Sequence, residues 1–309
     1  MLRCTRSINP LPPVPLSMKS ALESPAPRVS VLVPLYKTQE IHLRQLIESV
    51  LAQTLREFEC ILYNDSPESG YLGQIVAEYG DARIRYVSGE KNLGISGARN
   101  RLIELAAAPY LAIIDHDDVM LPNRLELQTA YLDAHPGVGV VGCYVREIPH
   151  NRVVRYPEMD GDVRLALMGG CAVPHTGSMI RSAVLRESGI RYEDEFCPAE
   201  DYALWIRLLG YTEFHNIPQV LTQYRVHTKN VSCTQKARMK QSADAVRTLA
   251  RELHPGLYLR SHALCKRVTY VRLFSLVPLF KIVHKCDHAT VYLFDCIPVC
   301  TLKSKITWK

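Results

Sequence analysis

A regular rhythm constrains this 309-residue chain more than any other feature. Short β-branched apolar runs alternate with amphipathic stretches. "VSVLVPLY" (Val29–Tyr36) is a short, β-branched, mostly apolar run, the pattern of a strand buried on both faces. "EIHLRQLIESVLAQT" follows, with Leu43, Leu46, Ile47, Val50 and Leu51 at helical spacing. The pairing recurs as "FECILYND" with "GYLGQIVAEYG", "RIRYVSG" with "GISGARNRLIELAAA", and "YLAIID" with "PNRLELQTAYLDAHP". "VGVVGCYV" then reads as a fifth strand. Strands that alternate with helices at short intervals pair in parallel, and their crossovers cover the sheet. The expected fold is α/β, a mostly parallel central sheet flanked by helices.

In such sheets ligands bind at the carboxyl ends of the strands. Those ends are polar here. The first contributes Pro34 and Tyr36, the second Asn64, Asp65 and Ser66, the turn after the third Asn92 and Gly94, and the fourth Asp115, Asp117 and Asp118. The fourth is the most demanding, because "IIDHDD" drives three carboxylates out of an apolar run. Clustered carboxylates need a compensating cation. The first turn, "PLYKTQE", has no glycine, so neither a dinucleotide fingerprint nor a P-loop is available to hold phosphates. Carboxylates are hard oxygen ligands for Mg²⁺ or Mn²⁺, and such an ion bridges well to a diphosphate. The cluster therefore reads as a metal site for a nucleotide diphosphate.

In this order and spacing, "VSVLVPLY", "ILYNDSPES", "NLGISGARN", "YLAIIDHDD" and "AEDYALWIRL" resemble the inverting glycosyltransferases of family 2, which have the GT-A fold. The resemblance runs from Val29 to about Ser232. It implies that Pro34 and Tyr36 line the nucleotide-base pocket and that Asp65 hydrogen-bonds a uracil-type base. Asn92, Gly94 and Arg99 would lie near the diphosphate. Asp115 and Asp117 match the D-x-D metal motif, which also reaches the donor, and His227 matches a histidine near the metal. Asp201 matches the general base, with its neighbour Glu200 as the rival. His175 would lie on the acceptor side or serve a structural hydrogen bond, and Trp205 and Leu208 read as helical core. The chain departs from the family pattern in two places: His116 inside the motif, and Ser66-Pro67 after Asp65. The implied activity is transfer of a sugar from a nucleotide-sugar donor, a UDP-sugar first, to a glycan or lipid-linked acceptor, as in lipopolysaccharide, capsule or exopolysaccharide synthesis.

Three domains are expected: a Pro-rich segment at 1–28, disordered or preceding the true start (Met18 would serve as one); a catalytic domain at 29–232; and an extension at 233–309. Charge separates the last. From Thr234 onward 14 Lys and Arg stand against 4 Asp and Glu, a balance of +10 that leaves −4 on the other 233 residues. The extension holds two apolar-aromatic stretches that faintly resemble each other, "LFSLVPLFKI" and "LFDCIPVCTL". Both are shorter than the roughly 20 residues that span a bilayer. A basic, aromatic-bearing segment suits the surface of an anionic membrane. Ten scattered cysteines without a C-x-x-C pair, and no secretory signal, point to a reduced, cytoplasmic setting. Two other readings are open. A nucleotidyltransferase would share the sheet and paired aspartates but needs a glycine-rich basic first turn. A nucleic-acid-binding protein would use the basic tail, although the body is acidic and carries no such motif.

Overall fold

The structure, a computed structural model, describes residues 26–227, 234–265, 267–273, 277–284, 289–293 and 297–302. The strand–helix rhythm is present throughout the first half. β1 (Val29–Leu35), α1 (Glu40–Leu51), β2 (Phe58–Asn64), α2 (Tyr71–Ala77), β3 (Ile84–Ser88), α3 (Gly94–Leu105) and β4 (Tyr110–Ile113) follow in order. Next come β5 (Val119–Met120), α4 (Arg124–Ala134), β6 (Val138–Ile148), β7 (Val153–Val154) and α5 (Asp160–Leu167). β8 (Met179–Arg181), α6 (Ser182–Ser188), a 3₁₀ turn at Asp194–Phe196, α7 (Glu200–Leu208) and β9 (Glu213–Arg225) complete the catalytic portion.

These strands form one sheet in the order β3-β2-β1-β4-β8-β6-β9-β5, with β7 paired to β6. β1 pairs in parallel with β2 and β4, and β2 with β3. β8 lies antiparallel to both β4 and β6, so β6 again runs with β4. β9 is parallel to β6. The sheet is thus mostly parallel, with β5, β7 and β8 reversed. β1 alternates between two cores: Val29, Val31, Val33 and Leu35 pack toward α1, α2 and α4, while Leu32 packs toward α3, α5 and α7. Burial of one such side chain contributes about 1.5–3 kcal/mol. Trp205 and Leu208, both fully buried, anchor α7 in the second core.

Beyond β9, α8 (Lys236–Leu253) and α9 (Pro255–Cys265) follow. α8 is basic on its outer face but inserts Val246 and Ala250 into the same core as α7. Ser242 Oγ donates to Cys197 O at 3.1 Å, and Arg247 Nε to Gly169 O at 2.9 Å. The first helix of the basic extension is therefore packed on the larger sheet's helical layer.

Four further strands, β10 (Arg267–Leu273), β11 (Val277–His284), β12 (Ala289–Leu293) and β13 (Ile297–Leu302), make a separate antiparallel sheet in that order. The two look-alike stretches take the same register. Arg272 pairs with Pro278 and Leu273 with Val277, while Tyr292 pairs with Pro298 and Leu293 with Ile297, each after an equivalent register shift. Among the described residues no helix is long and apolar enough to cross a membrane. The expected segment at 1–28 lies outside the described residues as far as position 25.

Candidate functional site

The expected residues gather at the carboxyl ends of β1, β2 and β4. Tyr36, just past β1, is half exposed, with Lys37 Nζ 5.1 Å from its ring centroid. Ser66 ties the β1 and β2 ends together: its buried Oγ accepts from Lys37 N at 2.9 Å. The Ser-Pro departure thus adds an interstrand bond.

Asp65 caps α3. Its Oδ1 accepts from Leu93 N at 2.7 Å and its Oδ2 from Gly94 N at 3.0 Å, and its carbonyl accepts from Asn92 Nδ2 at 2.9 Å. Amides at the start of a helix lack intrahelical partners, and their positive end favours a carboxylate; Gly94 N also donates to Asn92 Oδ1 at 3.1 Å. Gly94 meets Asp65 with φ of 73°, a conformation that other side chains adopt only under strain. Burial pushes the Asp65 carboxyl above its ordinary range, against the two amide bonds. A role for Asp65 in ordering α3 was not legible from its place at a strand end.

The "DHDD" turn divides its carboxylates. Asp118 is fully buried and accepts from Arg225 N at 2.8 Å. Burial, then the charges of Asp117 and Asp115, push it well above the carboxylate range. It is structural. Asp117 faces the end of β9: its Oδ2 lies 2.8 Å from His227 Nε2, and its carbonyl accepts from Arg225 Nε at 2.8 Å. β5 pairs with Thr222–Gln223 of β9, so the motif is pinned where the chain returns 110 residues later. Asp115 engages other partners. Its Oδ1 meets Arg99 Nη2 at 3.2 Å, with His175 Nδ1 at 3.9 Å.

Arg99 reaches across to α7, where it pairs with Glu200 Oε1. Burial works against the Arg99 charge, but Glu200 and Asp115 overcome it and raise its pKa. Glu200 is 3% exposed and so engaged, which leaves its neighbour Asp201 as the freer carboxylate. Asp201 lies in the first turn of α7 without capping it and accepts from Tyr202 N at 2.7 Å. Burial and then the Glu200 charge, opposed by Arg99, push the Asp201 carboxyl up to about 7. A carboxylate titrating there is matched to proton abstraction near neutral pH.

His175 is buried, with Nε2 2.9 Å from Tyr192 Oη. Burial, then Arg99, lowers it to about 3, so its imidazole is neutral at working pH. Tyr192 is held by Asn100 on both backbone sides, at 2.9 Å each, and its ring lies 5.6 Å from Arg99 Cζ. Tyr192 and the Arg99–Glu200 pair were not foreseen as a unit, since their segments lie 92–101 residues apart.

A divalent ion is implied by the motif. Among the described residues no three His, Cys, Asp or Glu side chains form a ready cage. The donor set nonetheless fits: carboxylates and an imidazole suit Mn²⁺, and Mg²⁺ or Mn²⁺ is ordinarily held by one or two carboxylates together with substrate phosphates. Asp117, His227 and the partly exposed Asp115 would hold it.

The fold and the acidic turn at the end of β4 are compatible with a glycosyltransferase, and similarity to known proteins shows that class. The profile described as "Glycosyl transferase family 2" matches residues 30–186, and the chain belongs to that family. It is 30% identical over 209 residues to the amylovoran biosynthesis glycosyltransferase AmsE of Erwinia amylovora, covering 66% of this chain and 78% of that one. It is 29% identical over 216 residues to an uncharacterized glycosyltransferase, MJ1057, of Methanocaldococcus jannaschii, covering 67% and 74%. The fold resembles S. aureus TarS 1-349 in complex with UDP, with a TM-score of 0.57 at 19% identity over 76% of this chain and 72% of that one. It also resembles the mannosyltransferase PcManGT of Pyrobaculum calidifontis in complex with GDP-Man and Mn²⁺, with a TM-score of 0.53 at 16% identity over 78% and 76%.

Proposed function

We propose that this enzyme transfers a sugar, with inversion, from a UDP-sugar to a hydroxyl of a glycan or lipid-linked acceptor, with Mn²⁺ or Mg²⁺, in the synthesis of a cell-surface polysaccharide. One observation carries the reading: Arg99 joins Asp115 of the acidic turn to Glu200, the neighbour of Asp201, in one ion-paired chain. That contact supports reading Asp201 as the base beside a metal-type carboxylate turn. Pro34 and Tyr36 would flank the nucleotide base, and Asp65, fixed by its two amide bonds, would meet its polar edge. Asn92 and Gly94 would border the diphosphate. Asp201 would take the proton of the acceptor hydroxyl as that oxygen attacks the anomeric carbon opposite the leaving diphosphate. With Glu200 ion-paired to Arg99, Asp201 is the carboxylate read as the base, which suits single-displacement inversion. An ion bound at Asp117 and His227 would supply charge stabilisation for the departing diphosphate.

Similar proteins support the class of donor and pathway: one is an amylovoran biosynthesis glycosyltransferase, one forms a complex with UDP, and one with GDP-Man and Mn²⁺. The direct test is nucleotide release from a panel of UDP-sugars with membrane glycolipid as acceptor, followed by NMR of the new linkage. A product with inverted anomeric configuration is expected. Retention would sink the mechanism, and release only from GDP-sugars would correct the base.

We further propose peripheral attachment to the inner face of the cytoplasmic membrane through the basic tail. The +10 charge of residues 234–309 supports it. Removal of the whole tail would strip Val246 and Ala250 from the core, so the comparison is truncation after Cys265. The full chain is expected to float with vesicles containing phosphatidylserine and to be released by salt, and the truncated chain to float less. Equal flotation of both, or none, would refute the assignment.

A further inference from the structure

The resemblance alone sets Arg99 beside the diphosphate, yet its side chain is committed elsewhere. Nη1 meets Glu200, Nη2 meets Asp115 at 3.2 Å, the guanidinium lies against the Tyr192 ring, and the side chain is 13% exposed. Asn100, one residue on, locks Tyr192 to α3 through both backbone groups. Tyr192 in turn holds His175, whose Nδ1 approaches Asp115. Two routes therefore run from α3 to Asp115: one direct, one through Tyr192 and His175. A third reaches the first turn of α7, where Glu200 precedes Asp201.

We propose that Arg99 is a positioning residue, the internal counter-ion that fixes Asp115 and Glu200, and with them Asp201, at one spacing, and that it makes no direct contact with the donor diphosphate. The inference rests on the donor-site reading above. Its physical basis is the cost of an uncompensated charge. Removing one partner of a buried ion pair leaves the other unpaired, while neutralising both relieves the loss. A fork that serves two carboxylates is also not replaced by the single ammonium of lysine.

The experiment is a double-substitution cycle on the full chain: Arg99→Gln, Glu200→Gln and both together, with Arg99→Lys as a milder variant. UDP affinity in Mn²⁺ is read by calorimetry and the thermal midpoint by circular dichroism. Arg99→Gln is expected to lower the midpoint and to weaken UDP by about 10-fold or more, the size of coupling found between contacting charged groups. The double variant is expected to recover the midpoint, because Glu200 is no longer an unpaired buried charge, and to recover UDP affinity only in part, because Asp115 still lacks its counter-ion. Arg99→Lys is expected to fall between, which keeps the test readable if Arg99→Gln does not fold. Arg99→Gln that melts as wild type yet binds UDP about 10-fold more weakly would overturn the proposal and make Arg99 a diphosphate ligand, since loss of an internal counter-ion must lower the midpoint. Wild type that binds neither UDP, GDP nor dTDP with Mn²⁺ would instead overturn the donor-site reading, and this role with it.

Discussion

Asp201→Asn is expected to lower turnover by about 10²–10⁴-fold while UDP binding in Mn²⁺ stays within a few-fold of wild type. The amide keeps the shape of the side chain and its place in the first turn of α7, but it cannot take a proton. The pH dependence follows from the same group. With its carboxyl raised to about 7, wild-type kcat/KM is expected to climb with pH through that value and level off above it. Stability runs in the opposite direction. A folded-state pKa above the ordinary 3.8 means that the native protein holds an extra proton between those values. The stabilisation is complete below about pH 4 and is lost as pH rises through 7. Asp201→Asn is therefore expected to melt no lower than wild type at pH 8. A marked drop in its melting temperature would assign Asp201 a structural role. An unchanged turnover would return the base to Glu200.

Asp117→Asn is expected to weaken Mn²⁺ binding by at least about 10–100-fold, since the loss of even an outer-sphere partner costs that much. Paramagnetic resonance of free Mn²⁺, titrated with protein and UDP, reads this without any acceptor. His227→Gln is expected to show a smaller loss in the same assay, because the carboxylate remains. Asp118→Asn should act differently. Asp118 is fully buried and bonded to Arg225 N, so its replacement is expected to change the melting temperature before it changes Mn²⁺ affinity. Equal Mn²⁺ affinity in wild type and Asp117→Asn would place the ion elsewhere.

The elements that the sequence displayed were those whose own pattern was sufficient. β1, β2 and β4 are mostly apolar runs, and α1 and α3 keep helical spacing, so their order and parallel pairing followed. β8 was missed because three residues carry no periodicity. It is a strand only because β4 and β6 flank it. α8 was assigned to a separate tail on charge, but Val246 and Ala250, one helical turn apart, bury into the core. The candidate site divides the same way. Asp115, Asp117 and Asp201 could be picked out because each stands at an element end within a motif. The work of Asp65 on α3, the double engagement of Arg99 and the Tyr192–His175 pair depend on contacts 16–101 residues apart along the chain. No local pattern encodes these contacts, and the side chains involved resemble ordinary surface or core residues until the sheet brings them together.

The central claim is that the acidic turn holds a metal–diphosphate donor. Calorimetry of UDP binding to the wild-type chain, first with Mn²⁺ and then with the ion chelated, tests it most directly. Saturable binding that disappears on chelation is the expected result. Binding of equal strength without the ion would contradict the role given to Asp115, Asp117 and His227. No binding of UDP, GDP or dTDP under either condition would contradict the donor site itself.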